Sequence, residues 1–149
     1  MDGFLGKGDY SYEPIPDWAH LPPELTLGDV AGIAVDNKDR VYLFNRGSDP
    51  VVVLNQNGDV LSTWGHGAFA NPHGASIGPD QCIYLTDNFD HTVRKFSLEG
   101  KLLLEIGTAG VSSGFMSGKP FCKCTHSAVS PSGDIFVSDG YPNACIHKF

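Results

Sequence analysis

Short apolar runs recur along the chain, and turn residues bound each of them. The runs are rich in β-branched and aromatic residues, which is typical of strands. The breakers, 18 Gly and 10 Pro, favour many short elements over long helices. The pattern therefore predicts an all-β chain. The predicted strands are residues 32–35, 41–45, 51–54, 61–64, 75–77, 83–87, 92–96, 102–106, 127–129, 135–139 and 145–149.

The pattern returns at a fixed interval, so the chain contains internal repeats. Residues 32–35 match residues 74–77, which lie 42 residues later, and residues 41–43 match residues 83–85 at the same interval. A third copy begins 52 residues after the second. Four strands in ~42 residues are the signature of one β-propeller blade. An antiparallel sandwich with accidental similarity is the alternative.

The repeats divide the chain into a lead-in and three blades. The predicted divisions are a lead-in at 1–29, blade 1 at 30–72, blade 2 at 73–121 with a long loop at 108–121, and an incomplete blade 3 at 122–149. Three blades cannot close a ring, so we expect further blades from a longer protein. A dimer of two half-rings is the alternative. A strand-like stretch at 9–16, which carries Tyr10, Tyr12 and Ile15, is a candidate for the ring-closing strand.

Charge and hydropathy exclude two classes of partner. The net charge is −7 and no basic patch is visible, so we expect no nucleic acid partner. No apolar run approaches the ~20 residues that span a bilayer, so we expect no membrane partner. The first ten residues lack the apolar core of a secretory leader, and the compartment expected by default is the cytoplasm.

Propeller geometry selects the polar residues that meet at one rim. Blade strands alternate in direction, so residues just before a first strand and just after a second strand share a rim. The residues before first strands are His73, Thr125 and His126. Those after second strands are Asn45, Arg46, Asp87, Asn88, Asp139 and Tyr141. Such a rim is a common place for a ligand site.

The four cysteines do not have the spacing of a two-pair zinc site. Cys122, Cys124 and His126 occupy alternate positions, which in a strand would place them on one face. Zinc would need a fourth ligand there, for which Cys145 is a candidate. Cys82 opens a predicted strand, and we expect it to be a buried thiol.

Four segments resemble the peptidyl-α-hydroxyglycine α-amidating lyase family, whose scaffold is built of NHL repeats. They are VAGIAVD at 30–36, FNRG at 44–47, NPHG at 71–74 and VSDGY at 137–141. The similarity runs from about residue 30 to residue 149. It implies that the chain is the amino-terminal half of a six-bladed β-propeller.

The resemblance also implies an activity, two metals and a set of residues. The family cleaves the C-terminal α-hydroxyglycine of a peptide or N-acyl substrate into an amide and glyoxylate, with zinc held by three histidines. His73 matches the first of them, and the other two would lie in later blades. Tyr141 matches the proposed general base and Arg46 its electrostatic partner. The carbonyls of Ile33 and Ala75 match ligands of a structural calcium.

The family often carries a disulfide from the position of Cys122 to the residue after the tyrosine. That residue is Pro142 in this chain, and Cys145 is a possible substitute partner.

Each assignment has a plainer alternative. His73 could cap a turn, Arg46 could pair with Asp49 or Asp87, and Tyr141 could be an exposed aromatic at a turn. We expect His126 to be a rim residue without a ligand role. The competing class of function is a non-catalytic NHL propeller that binds a protein or a small ligand, or that associates with itself.

Overall fold

The computed structural model describes residues 3–149, and every regular element in that range is a β-strand. The bounds are β1 Leu5–Lys7, β2 Tyr10–Tyr12, β3 Val30–Val35, β4 Val41–Asn45, β5 Val51–Leu54, β6 Val60–Trp64, β7 Pro72–Ile77, β8 Ile83–Asp87, β9 Thr92–Phe96, β10 Leu102–Gly107, β11 His126–Val129, β12 Ile135–Asp139 and β13 Cys145–Lys148. Within residues 3–149 we find no helix that is long and apolar enough to cross a lipid bilayer.

Three antiparallel meanders follow one another along the chain. Strands β3 to β6 form the first sheet, β7 to β10 the second and β11 to β13 the third, each in sequence order. We call these sheets blade 1, blade 2 and blade 3. The architecture confirms the predicted all-β propeller class, with two four-stranded sheets and one three-stranded sheet among the described residues.

Two first strands start earlier than the hydrophobic pattern predicts. Strand β3 starts at Val30 and β7 at Pro72, and in both cases the register shifts at the second residue of the strand. Because such a bulge adds an unpaired residue, the ladder continues past the point where the apolar alternation breaks. The first strands of these two blades are therefore longer in the structure than the apolar pattern indicates.

The turns between strands have the same backbone conformation at equivalent positions of the blades. Between the first and second strands, Asp39, Gln81 and Gly133 occupy equivalent positions and all have a positive φ, of 57°, 55° and 94°. Between the third and fourth strands, Gly58 and Gly100 have φ values of 88° and 87°. Left-handed backbone at each equivalent position sets the same reversal of direction in each blade.

Adjacent blades pack face to face through apolar side chains. Blade 1 contributes Tyr42 and Phe44 to a core that also contains Ile83 and Leu85 of blade 2. A Cβ on Gly32 would lie 2.8 Å from the backbone nitrogen of Ala75, so the two first strands approach more closely than a side chain would allow. A second core joins blade 2 to blade 3. Its members include Tyr84, Val93, Phe121, Cys124, Ile135 and Val137.

The lead-in packs on the side of blade 1 that faces away from blade 2. Trp18, Leu21 and other apolar residues of the lead-in cover Leu43, Val52 and Leu54. Within residues 3–149, strands β1 and β2 pair only with each other, as a small exposed hairpin. Strand β2 covers part of the stretch at 9–16 that is expected to close a ring, and the closure itself stays a prediction.

Each end of the three-blade array leaves apolar side chains exposed. On blade 1, Ile33 is 59% exposed and Val35 is 52% exposed, whereas Ala75, the equivalent of Ile33 in blade 2, is 4% exposed. On blade 3, Phe136 is 38% exposed, whereas the equivalent residues Tyr42 and Tyr84 are 0% and 3% exposed. These positions are the ones that neighbouring blades bury against each other inside the array.

Candidate functional site

One rim carries a cavity of about 500 Å³ that we call the rim pocket. Three residues singled out from the sequence line it together: Arg46 after β4, His73 at the start of β7, and Tyr141 after β12. The sequence separates them by up to 95 positions, and the alternating strand direction of three blades brings them to one edge. The lining also includes Phe89, Phe115 and Lys123.

The hydrogen bonds of His73 fix its tautomer. Its Nδ1 lies 2.8 Å from the carbonyl oxygen of Thr125, and its Nε2 lies 3.3 Å from the hydroxyl of Tyr141. A carbonyl oxygen only accepts, so Nδ1 carries the proton and Nε2 presents its lone pair. A histidine whose Nδ1 donates to a backbone carbonyl, so that Nε2 is the accepting nitrogen, has the usual arrangement of a metal-binding histidine.

Tyr141 is exposed and borders the pocket from blade 3. Its hydroxyl donates to Nε2 of His73, and the two rings meet edge to face with centroids 5.8 Å apart. The following residue is anchored, because the carbonyl of Pro142 accepts the backbone N–H of Met116. The tyrosine is therefore an aromatic at a turn, as the plainer alternative held, and it also contacts the pocket histidine.

Arg46 is held by partners that the sequence analysis did not select. Its Nε donates to the carbonyl of Pro72 at 3.2 Å, and its Nη1 lies 3.3 Å from a carboxylate oxygen of Asp29. The plainer alternative, a salt bridge of Arg46 with Asp49 or Asp87, is not formed, and its ion pair is with Asp29 instead. Asp87 is buried beneath the rim, and its carboxylate accepts backbone N–H groups instead. The contact with Pro72 places the guanidinium next to the residue that precedes His73.

A repeated cap supports the rim. Asp87 accepts the backbone N–H groups of Asn71, Phe89 and Asp90, and that of Ala70 at 2.6 Å. Asp139 accepts the N–H of Cys122 and the side-chain N–H of Asn143. Asn45 is the equivalent in blade 1, where its Oδ1 accepts from Gly28 and Gly47.

The repeat predicts these residues on the rim, and the structure shows that they also tie the end of a second strand to the segment before a first strand. Their spacing of 42 and 52 residues was the available signal.

The two proposed calcium ligands lie in first strands. Ala75 is buried between blades 1 and 2, and the side chain of Ile33 is exposed on the open face of blade 1. The two residues pair with Leu85 and Leu43 in their sheets. Among residues 3–149 no three His, Cys, Asp or Glu side chains cluster in a way that could hold a metal ion. Both metals therefore stay predictions.

The cysteines do not form the zinc site considered from their spacing. Strand β11 begins only at His126, so Cys122 and Cys124 lie in an irregular segment. All four thiols are free, so the disulfide considered for Cys122 and Cys145 is not formed. Burial, together with the carboxylates of Asp139 and Asp87, raises the pKa of Cys124 to about 12. A thiol in that state is a poor metal ligand, because metals bind the thiolate.

Cys82 differs from its predicted environment, and His126 has a close neighbour that the sequence does not reveal. Cys82 is half-buried rather than buried and precedes β8, and its partial burial raises its pKa. His126 lies against the backbone of Gly74, since a Cβ there would come within 2.7 Å of its Nδ1. Partial desolvation and, when it is protonated, the neighbouring imidazole of His73 lower the pKa of His126, whose side chain is exposed at the start of β11.

The successive face-to-face sheets and the rim pocket define a segment of a β-propeller. Solved propeller structures share the fold. A Bacteroides thetaiotaomicron protein of unknown function superposes with a TM-score of 0.63 at 18% identity, over 81% of this chain and 33% of that one. A catalytically inactive virginiamycin B lyase from Staphylococcus aureus superposes with a TM-score of 0.56 at 12% identity, over 78% of this chain and 39% of that one.

The sequence narrows the class further: the chain is an NHL-type segment that belongs to the family of the peptidyl-α-hydroxyglycine α-amidating lyases. The chain is 42% identical over 95 residues to peptidyl-α-hydroxyglycine α-amidating lyase 1 from Drosophila melanogaster. That match covers 62% of this chain and 17% of the relative. The chain is 32% identical over 172 aligned positions to peptidylglycine α-amidating monooxygenase from Rattus norvegicus, covering 96% of this chain and 17% of the relative. Human NHL repeat-containing protein 3 is 31% identical over 79% of this chain and 37% of the relative.

No family model matches the chain. The chain spans 17% of the length of each of the first two relatives.

Proposed function

We propose that this chain contributes part of the active site of a zinc-dependent peptidyl-α-hydroxyglycine α-amidating lyase. The observation that carries the proposal is the contact between His73 and Tyr141 in a pocket that Arg46 also lines. The reaction cleaves a C-terminal α-hydroxyglycine into a peptide amide and glyoxylate. The rest of the site would come from further blades of a six-bladed ring.

His73 suits the role of one zinc ligand, because its proton is on Nδ1 and its Nε2 faces the pocket. A catalytic zinc site uses about three protein ligands, so we place the remaining histidines in blades beyond residue 149. Bound zinc would act as a Lewis acid on the substrate hydroxyl. The carbonyls of Ile33 and Ala75 are the proposed ligands of a separate structural calcium.

Tyr141 would accept a proton in the reaction, and Arg46 would support it electrostatically. Tyr141, as the phenolate, would take the proton of the substrate hydroxyl. The electron pair of that O–H bond then forms the carbonyl of glyoxylate, and the C–N bond pair leaves with the amide nitrogen, which takes up a proton. Arg46 keeps its charge throughout and favours the negatively charged form of the base.

A non-catalytic scaffold is the second candidate. The similarity to human NHL repeat-containing protein 3 covers 79% of this chain, and the name of that protein describes a repeat rather than a reaction. In this case the rim pocket would bind a ligand without turnover. The lyase candidate requires that the protein bind zinc and release glyoxylate, whereas the scaffold candidate requires neither.

The test measures glyoxylate released from N-benzoyl-α-hydroxyglycine by the full-length zinc-loaded protein. We expect Tyr141→Phe to lower kcat by about 100-fold or more, since it removes the proton acceptor. Tyr12→Phe is the matched control, because Tyr12 lies in the exposed β1–β2 hairpin. Parent-rate release by Tyr141→Phe rules out the proposed base. An intact protein that binds no zinc and releases no glyoxylate supports the scaffold.

A further inference from the structure

The charged side chains that line the rim pocket are positive, whereas the chain as a whole is negative. The chain carries a net charge of −7, yet none of the residues described as lining the pocket is Asp or Glu. Two of them, Arg46 and Lys123, are cations. Arg46 is already engaged with Asp29 and Pro72. Within residues 3–149, no carboxylate lies within ion-pairing distance of the Lys123 ammonium.

The backbone around Lys123 is fixed on both sides. Its neighbours Cys122 and Cys124 are buried, and the N–H of Cys122 donates to the carboxylate of Asp139. The N–H of Lys123 donates to Nδ1 of His91 at 3.0 Å. Lys123 has a φ of 61°, a left-handed conformation that costs a non-glycine residue about 1 kcal/mol or more. The segment thus holds one exposed lysine side chain between two buried thiols.

An exposed aromatic ring lies beside this ammonium. The Nζ of Lys123 is 5.5 Å from the centroid of the Phe89 ring. Phe89 is 56% exposed, and Phe115, in the loop at 108–121, is 78% exposed. Both rings line the pocket. A cation over one aromatic face, with a second ring nearby, suits a ligand that joins an anionic group to an apolar one.

We propose that Lys123 determines specificity in the rim pocket by binding the carboxylate of a ligand whose apolar group packs on Phe89 and Phe115. The inference rests on the proposed function in one respect, which is that the carboxylate belongs to the α-hydroxyglycine end of the substrate. Lys123 then orients that end, and the aromatic rings favour substrates with an apolar residue or acyl group next to it. Lys123 takes no part in the proton transfer.

The test measures equilibrium binding to the full-length protein by calorimetry, with hippurate and its neutral amide, hippuramide, as probes. Both lack the α-hydroxyl group, so neither can be cleaved. We expect Lys123→Gln to weaken hippurate binding about tenfold, as the loss of one charged hydrogen bond implies, and to leave hippuramide within about twofold. Lys123→Arg should restore hippurate binding. Lys101→Gln, which removes the same charge from an exposed position outside the pocket, should change neither.

Phe89→Leu provides a second readout. It should weaken hippurate and hippuramide to the same extent, because it removes aromatic contact and leaves the charge in place. Equal affinity of the parent protein for the two probes overturns the proposal, as does an absence of hippurate binding or an unchanged hippurate affinity in Lys123→Gln. Unchanged thermal unfolding of each variant shows that its fold is intact.

The binding test of Lys123 and the glyoxylate test of the lyase proposal can fail independently of each other. If no glyoxylate is released but hippurate binding depends on Lys123, the lyase proposal fails and the anion site stands. If glyoxylate is released and Lys123→Gln leaves KM unchanged, the lyase proposal stands and the role of Lys123 is wrong.

Discussion

The seam between blades 1 and 2 and the open face of blade 3 use equivalent residues in opposite environments. At the seam, Tyr42 is buried against blade 2, whereas its counterpart Phe136 is exposed on blade 3. The open face of blade 1 shows the same contrast between Ile33 and the buried Ala75. The chain therefore presents interface residues at both ends of the array. We propose that further blades, or a second copy of the chain, cover them.

The contrast also bears on the rim pocket, which further blades would complete under the lyase proposal. Its residues come from all three blades, with Arg46 from blade 1, His73 from blade 2 and Tyr141 from blade 3. A ligand held at the mouth of a ring would also contact whatever packs on the open faces. Function and ring closure are thus linked in this account.

The largest loss of stability should come from truncating Tyr42, an aromatic residue buried at the seam between blades 1 and 2. Tyr42→Ala should cost about 3–5 kcal/mol of unfolding free energy, the range for a buried aromatic residue. Phe136→Ala should cost less than about 1 kcal/mol in the 149-residue chain alone, as is usual for exposed positions. Denaturant unfolding measures both.

The same pair of variants in the full-length protein sharpens the comparison. If further blades cover blade 3, Phe136→Ala should approach the cost of Tyr42→Ala. A cost below about 1 kcal/mol in both forms would mean that nothing packs on this face.

A smaller effect is expected at the start of β11, where blades 2 and 3 meet. Partial desolvation and, when it is protonated, the neighbouring imidazole of His73 lower the pKa of the exposed His126 below its usual 6.5. The unfolded chain then binds more protons than the folded one, so stability falls as the pH decreases from about 6.5 towards the folded pKa.

His126→Gln should flatten the dependence of the melting temperature on pH between about pH 5 and pH 7. Calorimetry of the parent and the variant across that range gives the two slopes. An equally steep slope in the variant would show that protonation of another group causes the loss of stability.

The strands and the shared rim were predictable, because both follow from the period of the repeat. The early starts of β3 and β7 were not, since a bulge interrupts the apolar alternation at Ala31 and His73. The partner of Arg46 was missed because Asp29 belongs to the lead-in, which has no counterpart in the other blades.

Two pocket residues, Phe115 and Lys123, were missed for a related reason. Phe115 lies in the long loop at 108–121, and Lys123 lies two residues after its end. The loop inserts between two repeats. Strand periodicity cannot assign a position to an insertion. Only the folded chain shows that this loop returns to the rim beside Phe89.

The most direct test of the account is the molar mass of the natural protein in solution, measured by light scattering. Covered end faces require more mass than these 149 residues supply, either from further blades of the same polypeptide or from a second copy. We predict a particle of at least twice the 16.0 kDa of this chain. A monodisperse 16.0 kDa particle would contradict the account, since both apolar end faces would then be exposed to water in the native protein.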